Sequence, residues 1–377
     1  MATFSYSITQ AFILFPFLAL FITLPYIFFQ YHKYGSLSFY RTILIYAFLL
    51  YLLCAYFLVI LPLPTVEEVS LMTTPSYNLI PFQFVSEIFH LTSFQISDFA
   101  TYFPTMQNPV FYESFFNLLL TVPFGIYMRY YFGLSFKKTF FYSFCLSLFF
   151  EFTQLTGLYY IYPRSYRVFD VDDLILNTSG GLIGYGLGVL CTKFLPTREE
   201  IDQRALKRGE NVSFLRRTLA FLADLCFFFI LSFASIYFLF QFGVRSKALA
   251  LFLLFFWAIL YYIVLTSLLR GKTLGMKFLK LTFSSKFDHI HLHQLVSYFF
   301  FFWFEYLFLP IIILFCAFVL FRHGMISDVV WNFIQIGIFS FMVFVYILSF
   351  LKRLFRMPLW YEKVSRLEII SNISTIK

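Results

Sequence analysis

Nine apolar runs, at residues 11–29, 42–61, 115–132, 139–159, 174–195, 218–240, 248–269, 297–320 and 329–351, dominate this chain. A run of about twenty apolar residues spans the hydrocarbon core of a bilayer as a helix. Nothing in lipid can bond an exposed peptide group, so each run must satisfy its own backbone. Hydrophobic residues make up 60% of the chain and charged residues 12%, at a mean hydropathy of +0.80. A soluble domain carries about twice that charge. The expected fold is therefore an all-α, polytopic membrane helical bundle. The third run is the weakest, because Pro123 and Gly125 interrupt it; both are tolerated where helices pack in bundles. The sixty phenylalanines read as lipid-facing filler, with a cofactor-binding aromatic stripe as the alternative.

Charge sets the expected orientation. Residues 62–114 contain no Lys or Arg but do carry Glu67, Glu68, Glu87, Asp98 and Glu113, whereas residues 193–217 carry seven basic residues. Placing the N-terminus outside and the C-terminus inside leaves only Arg164, Arg167, Arg245, Lys247 and Arg322 exterior, which satisfies the positive-inside bias. The net charge of +9 is then accounted for by membrane insertion and points to no nucleic acid. The first run lacks a basic flank and reads as a retained anchor. Residues 196–213 are polar and mixed in charge. They divide a first membrane module (1–195) from a second (214–377) as a cytoplasmic linker.

The densest chemistry lies in YRVFDVDDLILNTSGGLIGYGLG, from Tyr166 to Gly188. Arg167, Asp170, Asp172 and Asp173 stand against the start of an apolar helix, on the expected exterior. Asp170, Asp173 and Asn177 share a face if that helix begins early. Glu151 and Gln154, three apart in the preceding span, are costly in lipid and are expected to point inward, toward Asn177 and Arg167. Gly180, Gly184 and Gly188 form a small-residue stripe that permits close helix packing. Such a pocket could hold a polar head group, with the guanidinium pairing a phosphate or carboxylate. An equal reading has Arg167 neutralising Asp170 or Asp173 to fix the loop. A divalent cation on the aspartates is a third reading.

The run RVFDVDDLILNTSGGLIG resembles the signature of the VanZ-like family. Two further segments occur in the family's order: NLIPF from Asn78, and NLLLTVPFG from Asn117 to Gly125; Glu151 and Gln154 also fit. The resemblance covers about residues 42–195. It implies a bacterial cell-membrane protein with a cell-envelope role, associated with lowered susceptibility to teicoplanin, and it names no reaction. The implied partners are the lipid bilayer and a lipid-linked cell-wall precursor or lipoglycopeptide.

Beyond the linker, Arg217 and Asp224 are seven apart and so face one way on a helix. With the later GKTLGMK from Gly271 to Lys277, they resemble the RDD family over about residues 214–370. Glu362 stands where that family's second aspartate falls, a longer side chain with the same charge. The resemblance implies a role in transport. Asp224 and Glu305 are the intramembrane acids that an ion or proton path would use; the alternative is interhelical hydrogen bonding.

His289, His291 and His293 would share a face on a strand and could bind metal there, but a solvated loop is the expected setting. Cys54, Cys145, Cys191, Cys226 and Cys316 each lie in apolar runs without a CxxC, so no disulfide framework, metal site or cofactor is expected. There is no Ser–His–Asp order and no phosphate-cradling loop. Three function classes follow: a non-enzymatic envelope protein binding a head group at the outer face, a transporter through the second module, and a membrane hydrolase or transferase with Glu151 or an aspartate as base.

Overall fold

The computed structural model describes residues 2–243, 246–285, 287, 289–355 and 357–373; Arg245 lies outside the described residues. Among the described residues the chain is an all-α class helical bundle whose only strands form two small two-stranded sheets. It divides into two compact units, Met1–Leu24 with Ser38–Gln203, and Pro25–Leu37 with Arg204–Lys377.

Among the described residues, seven helices are long and apolar enough to cross a membrane: Ser5–Tyr34, Phe39–Ile60, Pro109–Tyr130, Val171–Phe194, Phe214–Gln241, Lys247–Leu268 and Asp328–Lys352. A bent pair, Leu292–Tyr306 and Leu309–Arg322, makes an eighth if taken as one span; its 43° break coincides with a π-helical turn and Pro310, the usual causes of a sharp kink. The run expected at 139–159 also forms a helix, Phe136–Leu155, but is outside that apolar set. Its sequence is inverted relative to a soluble helix. Thr139, Ser143, Ser147 and Glu151, four apart, are buried, while Phe140, Phe141, Phe144, Leu148 and Phe152 face outward.

The first unit contains most of α1 (Ala2–Tyr34) and all of α2 (Phe39–Ile60). The segment between α2 and α6 is built of short pieces. These are α3 (Val66–Leu71), β1 (Tyr77–Asn78), α4 (Gln83–Leu91), a 3-10 turn, and α5 (Tyr102–Met106). Then follow α6 (Pro109–Tyr130) and α7 (Phe136–Leu155). A one-turn α8 (Gly157–Tyr160) precedes β2 (Phe169–Asp170) and α9 (Val171–Phe194). Pro123 lies inside an unbroken α6. The stretch read as a linker contains a helix, α10 (Arg198–Gly209).

The second unit holds α11 (Phe214–Gln241) and α12 (Lys247–Ile259), which continues through a π-helical turn into α13 (Thr266–Leu268). Next come α14 (Leu274–Phe278), β3 (Leu281–Ser285) and α15 (Leu292–Trp303). The last elements are α16 (Leu309–Arg322), α17 (Asp328–Leu354), α18 (Trp360–Ser365) and β4 (Leu367–Ser371). β3 and β4 pair antiparallel from Leu281↔Ser371 to Ser285↔Leu367. Alternate residues Leu281, Phe283, Leu367 and Ile369 enter a core that includes Leu219, Tyr261, Leu279 and Leu295, as the two-residue strand period requires.

Candidate functional site

The polar residues of the first unit converge where α9 begins. Asp170 is extended (φ −121°, ψ 126°), and its Oδ1 accepts from the Asp172 N–H at 2.8 Å, making it the N-cap of α9. Because the helix starts at Val171, Asp173 and Asn177 share a face and Asp170 sits at the cap. Its other oxygen accepts from Asn78 Nδ2 at 3.1 Å, beside the parallel pairing of β1 with β2. Asp172, 4% exposed, points to α4: its oxygens accept from the N–H groups of Phe82 (2.6 Å) and Phe84 (2.9 Å). The first N–H groups of a helix have no partner inside it. A carboxylate of α9 thus caps a different helix.

Below the cap, Asn117 Nδ2 donates to Asp173 Oδ1 at 2.5 Å, and Thr121 Oγ1 donates to the Asn177 carbonyl at 2.5 Å. Asn177 Nδ2 donates to Ser147 Oγ at 3.2 Å, and that hydroxyl donates to the Asp173 carbonyl at 3.2 Å. Glu151, 2% exposed, accepts the Asp170 N–H at 2.9 Å. Gln154 does not reach Asn177. Its Nε2 donates to the Val59 carbonyl at 3.1 Å, where Arg167 Nη1 also donates at 2.8 Å. Val59 lies in the last turn of α2, whose carbonyls have no helical partner. Arg167 is exposed and makes no ion pair among the described residues, although Glu151 and Asp173 lie within its electrostatic reach.

The loop before α9 is tied to the α2–α6 segment. Arg164 donates to the carbonyls of Met72 and Thr74, and the Tyr162 hydroxyl donates to that of Pro64 at 2.7 Å. Tyr162 and Tyr166 pack on Val69. Burial pushes the Tyr166 hydroxyl up to about 12. Among the described residues, no group of three His, Cys, Asp or Glu is placed to hold a metal ion.

The glycine stripe sits at the tightest helix contact. A Cβ on Gly180 would lie 1.9 Å from the Leu118 carbonyl oxygen, one on Gly184 2.0 Å from that of Val122, and one on Gly188 2.8 Å from Arg129 Cβ, all on α6. Gly181 turns instead to α7, where a Cβ would lie 2.1 Å from Ser143 Oγ. That approach brings Asn117, Thr121 and Ser147 within hydrogen-bonding reach of the start of α9. These three and Asn78 were not singled out from sequence as site residues. Two of them nonetheless open the quoted segments NLIPF and NLLLTVPFG, and Ser147 belongs to the four-residue polar stripe of α7.

Residues 48–192 match the VanZ/LLP1 family model. The matched stretch contains every residue of the polar knot, from Asn78 to Asn177. No curated protein and no solved structure matches the chain. With its apolar helices, the chain is a multi-pass membrane protein carrying a VanZ/LLP1-like segment.

In the second unit, Arg217 Nη1 donates to Glu362 Oε1 at 2.7 Å and Nη2 to the Ile369 carbonyl at 2.7 Å. Asp224 does not join that pair. It accepts from the Tyr261 hydroxyl (2.7 Å), Thr273 Oγ1 (2.6 Å) and the Gly275 N–H (2.7 Å), and so fastens the start of α14 to α11. Gly275 is needed for this approach, since a Cβ there would lie 2.2 Å from the Ala220 carbonyl oxygen. Arg216, given no role from sequence, is fully buried and donates to the carbonyls of Leu279, Gly209 and Lys280 and to Ser371 Oγ. His289 is in a bend, His291 caps α15 and His293 lies within it; the rings of His291 and His293 stack at 5.5 Å.

Proposed function

We propose that this is a bacterial cell-envelope protein whose first unit receives an anionic head group at the outer face, on Arg167. Lipid-linked cell-wall precursors and lipoglycopeptides carry suitable phosphates and carboxylates. Binding them would lower teicoplanin-type or lipopeptide susceptibility, or serve envelope homeostasis. The supporting observation is a division of labour in the knot. Asp170, Asp172, Asp173 and Glu151 each accept an N–H from the protein, whereas Arg167 is exposed and donates one of its five N–H groups to Val59. The guanidinium keeps a fork for a two-oxygen acceptor. Asp172, Asp173 and Asn177 hold the site's frame, and Glu151 and Gln154 lie beneath it. Glu151 accepts the Asp170 N–H, and the reading assigns no reaction.

The test is Arg167→Ala expressed in a strain deleted for the protein, scored for teicoplanin susceptibility and for amount in the membrane. Loss of protection at normal abundance is expected, with partial retention in Arg167→Lys. Unchanged susceptibility refutes the reading. So does a cysteine at position 167 that an impermeant thiol reagent labels only after cells are opened.

A second reading, ion- or proton-coupled transport through the RDD-like second unit, is favoured by Asp224 and Glu305 lining a common cavity. Equal flux by wild type and Glu305→Gln in proteoliposomes would remove it.

A further inference from the structure

The second unit holds a half-open cavity of about 530 Å3, within the size range of small-molecule sites. Its wall is aromatic, and the rings hold one another in place. Phe221 packs edge-on against Phe302 at 5.1 Å, Tyr262 against Trp303 at 5.5 Å, and Tyr306 lies 5.1 Å from Phe302. The Tyr306 hydroxyl is fixed by Ser349 Oγ at 2.6 Å.

Three charged side chains line this space, and they differ in what they have left to give. Arg217 is neutralised by Glu362 at 2.7 Å. Asp224 already accepts three hydrogen bonds. Glu305 is different: its Oε2 is buried and has no hydrogen-bond partner among the described residues. The Tyr262 hydroxyl is likewise buried and unpartnered. Lys352 on α17 is within electrostatic reach of Glu305 but forms no ion pair with it among the described residues. A buried acceptor left unbonded is costly, and native structures normally satisfy it.

We infer that this cavity is a binding site for an amphipathic organic cation, with its charged centre against Glu305 and its apolar body among Phe221, Tyr262, Phe302 and Trp303. Two independent features select that chemistry. The unbonded Glu305 Oε2 calls for a cationic or N–H donor, and aromatic faces attract a cation through their quadrupoles. An anionic ligand would meet both Asp224 and Glu305 on the cavity wall, where the lining cation, Arg217, is already paired with Glu362 and Lys352 acts only from outside the lining. The inference concerns binding alone and stands apart from both the head-group site of the first unit and any transport by the second.

The experiment is saturation binding of radiolabelled tetraphenylphosphonium to the full-length protein in nanodiscs, with empty nanodiscs subtracted. Neutral triphenylphosphine oxide serves as a competitor. Saturable binding is expected, at least tenfold weaker in Glu305→Gln, about fivefold weaker in Trp303→Leu, and unchanged in Glu368→Gln on the exposed side of β4. The neutral compound should compete poorly. Absence of saturable binding overturns the inference. Equal competition by the neutral compound does so too, because the cavity is then an apolar slot for a lipid chain. The comparison of charged and neutral probes uses the wild-type protein and decides the matter even if Glu305→Gln fails to fold. A folded Glu305→Gln that binds as wild type also refutes it.

Discussion

Adding one methyl group at Gly184 tests whether the α6–α9 contact carries the first unit. A Cβ there would stand 2.0 Å from the Val122 carbonyl oxygen, whereas real Cβ contacts essentially never fall below 3.0 Å. The obstruction is backbone, so no side-chain rotation relieves it, and the two helices must part by about 1 Å. Overpacking of this kind costs about 1–3 kcal/mol. The separation also lengthens the Asn117–Asp173 and Thr121–Asn177 bonds from 2.5 Å to about 3.5 Å, and weakening the two together costs about 1 kcal/mol more. The expected total for Gly184→Ala is about 2–4 kcal/mol. At about 2–4 °C per kcal/mol, that lowers the melting temperature by roughly 4–16 °C. The assay is the thermal midpoint of detergent-solubilised protein followed by size-exclusion chromatography. Gly186, on the same helix, is the internal control, because a Cβ there meets nothing within 4 Å. Gly186→Ala should leave the midpoint unchanged or raise it slightly through better helix propensity. Equal destabilisation by the two substitutions would refute the reasoning, since propensity or lipid exposure would then govern rather than close approach.

Asp172→Ala removes the acceptor for both Phe82 and Phe84 N–H groups, leaving them unpaired at a cost of about 1–3 kcal/mol each if water does not reach them. Faster hydrogen exchange in residues 82–91 is expected, with the α6–α9 contact retained. For Arg217 and Glu362, whose side chains are 13% and 2% exposed, either single alanine substitution should destabilise by about 3–5 kcal/mol, and the double mutant by less than the sum, as thermal melts in a double-mutant cycle would show.

Much of the helical framework was legible because a bilayer demands long self-satisfied apolar segments, and such runs are conspicuous in sequence. The α2–α6 segment was not. Two-residue strands and one-turn helices carry no periodicity, and their stability comes from residues such as Arg164 and Asp172 far along the chain. The short strands β3 and β4 are illegible in sequence for a related reason, since five residues of alternation do not stand out beside long aromatic runs. At the polar knot, the aspartates and Glu151 stood out because charge is rare in this chain, but their partners Asn117, Thr121 and Ser147 did not. Hydroxyls and amides blend into a phenylalanine-rich helix unless one counts every fourth residue. Charge alone also could not assign Arg167 to a carbonyl rather than a carboxylate, because backbone acceptors at a helix end leave no mark in composition.

The ties between the α2–α6 segment and the start of α9 impose an order on biogenesis. Asn78, Phe82, Phe84, Met72, Thr74 and Pro64 find their partners 88 to 98 residues later. While the ribosome is still making α6 and α7, that stretch has emerged but lacks the side chains that fasten it. Closing such a long loop carries an entropic penalty that only the arriving α9 offsets. A nascent chain stalled before residue 162 therefore presents an unlatched flap, open to proteases and chaperones, until residues 162–172 emerge and close it.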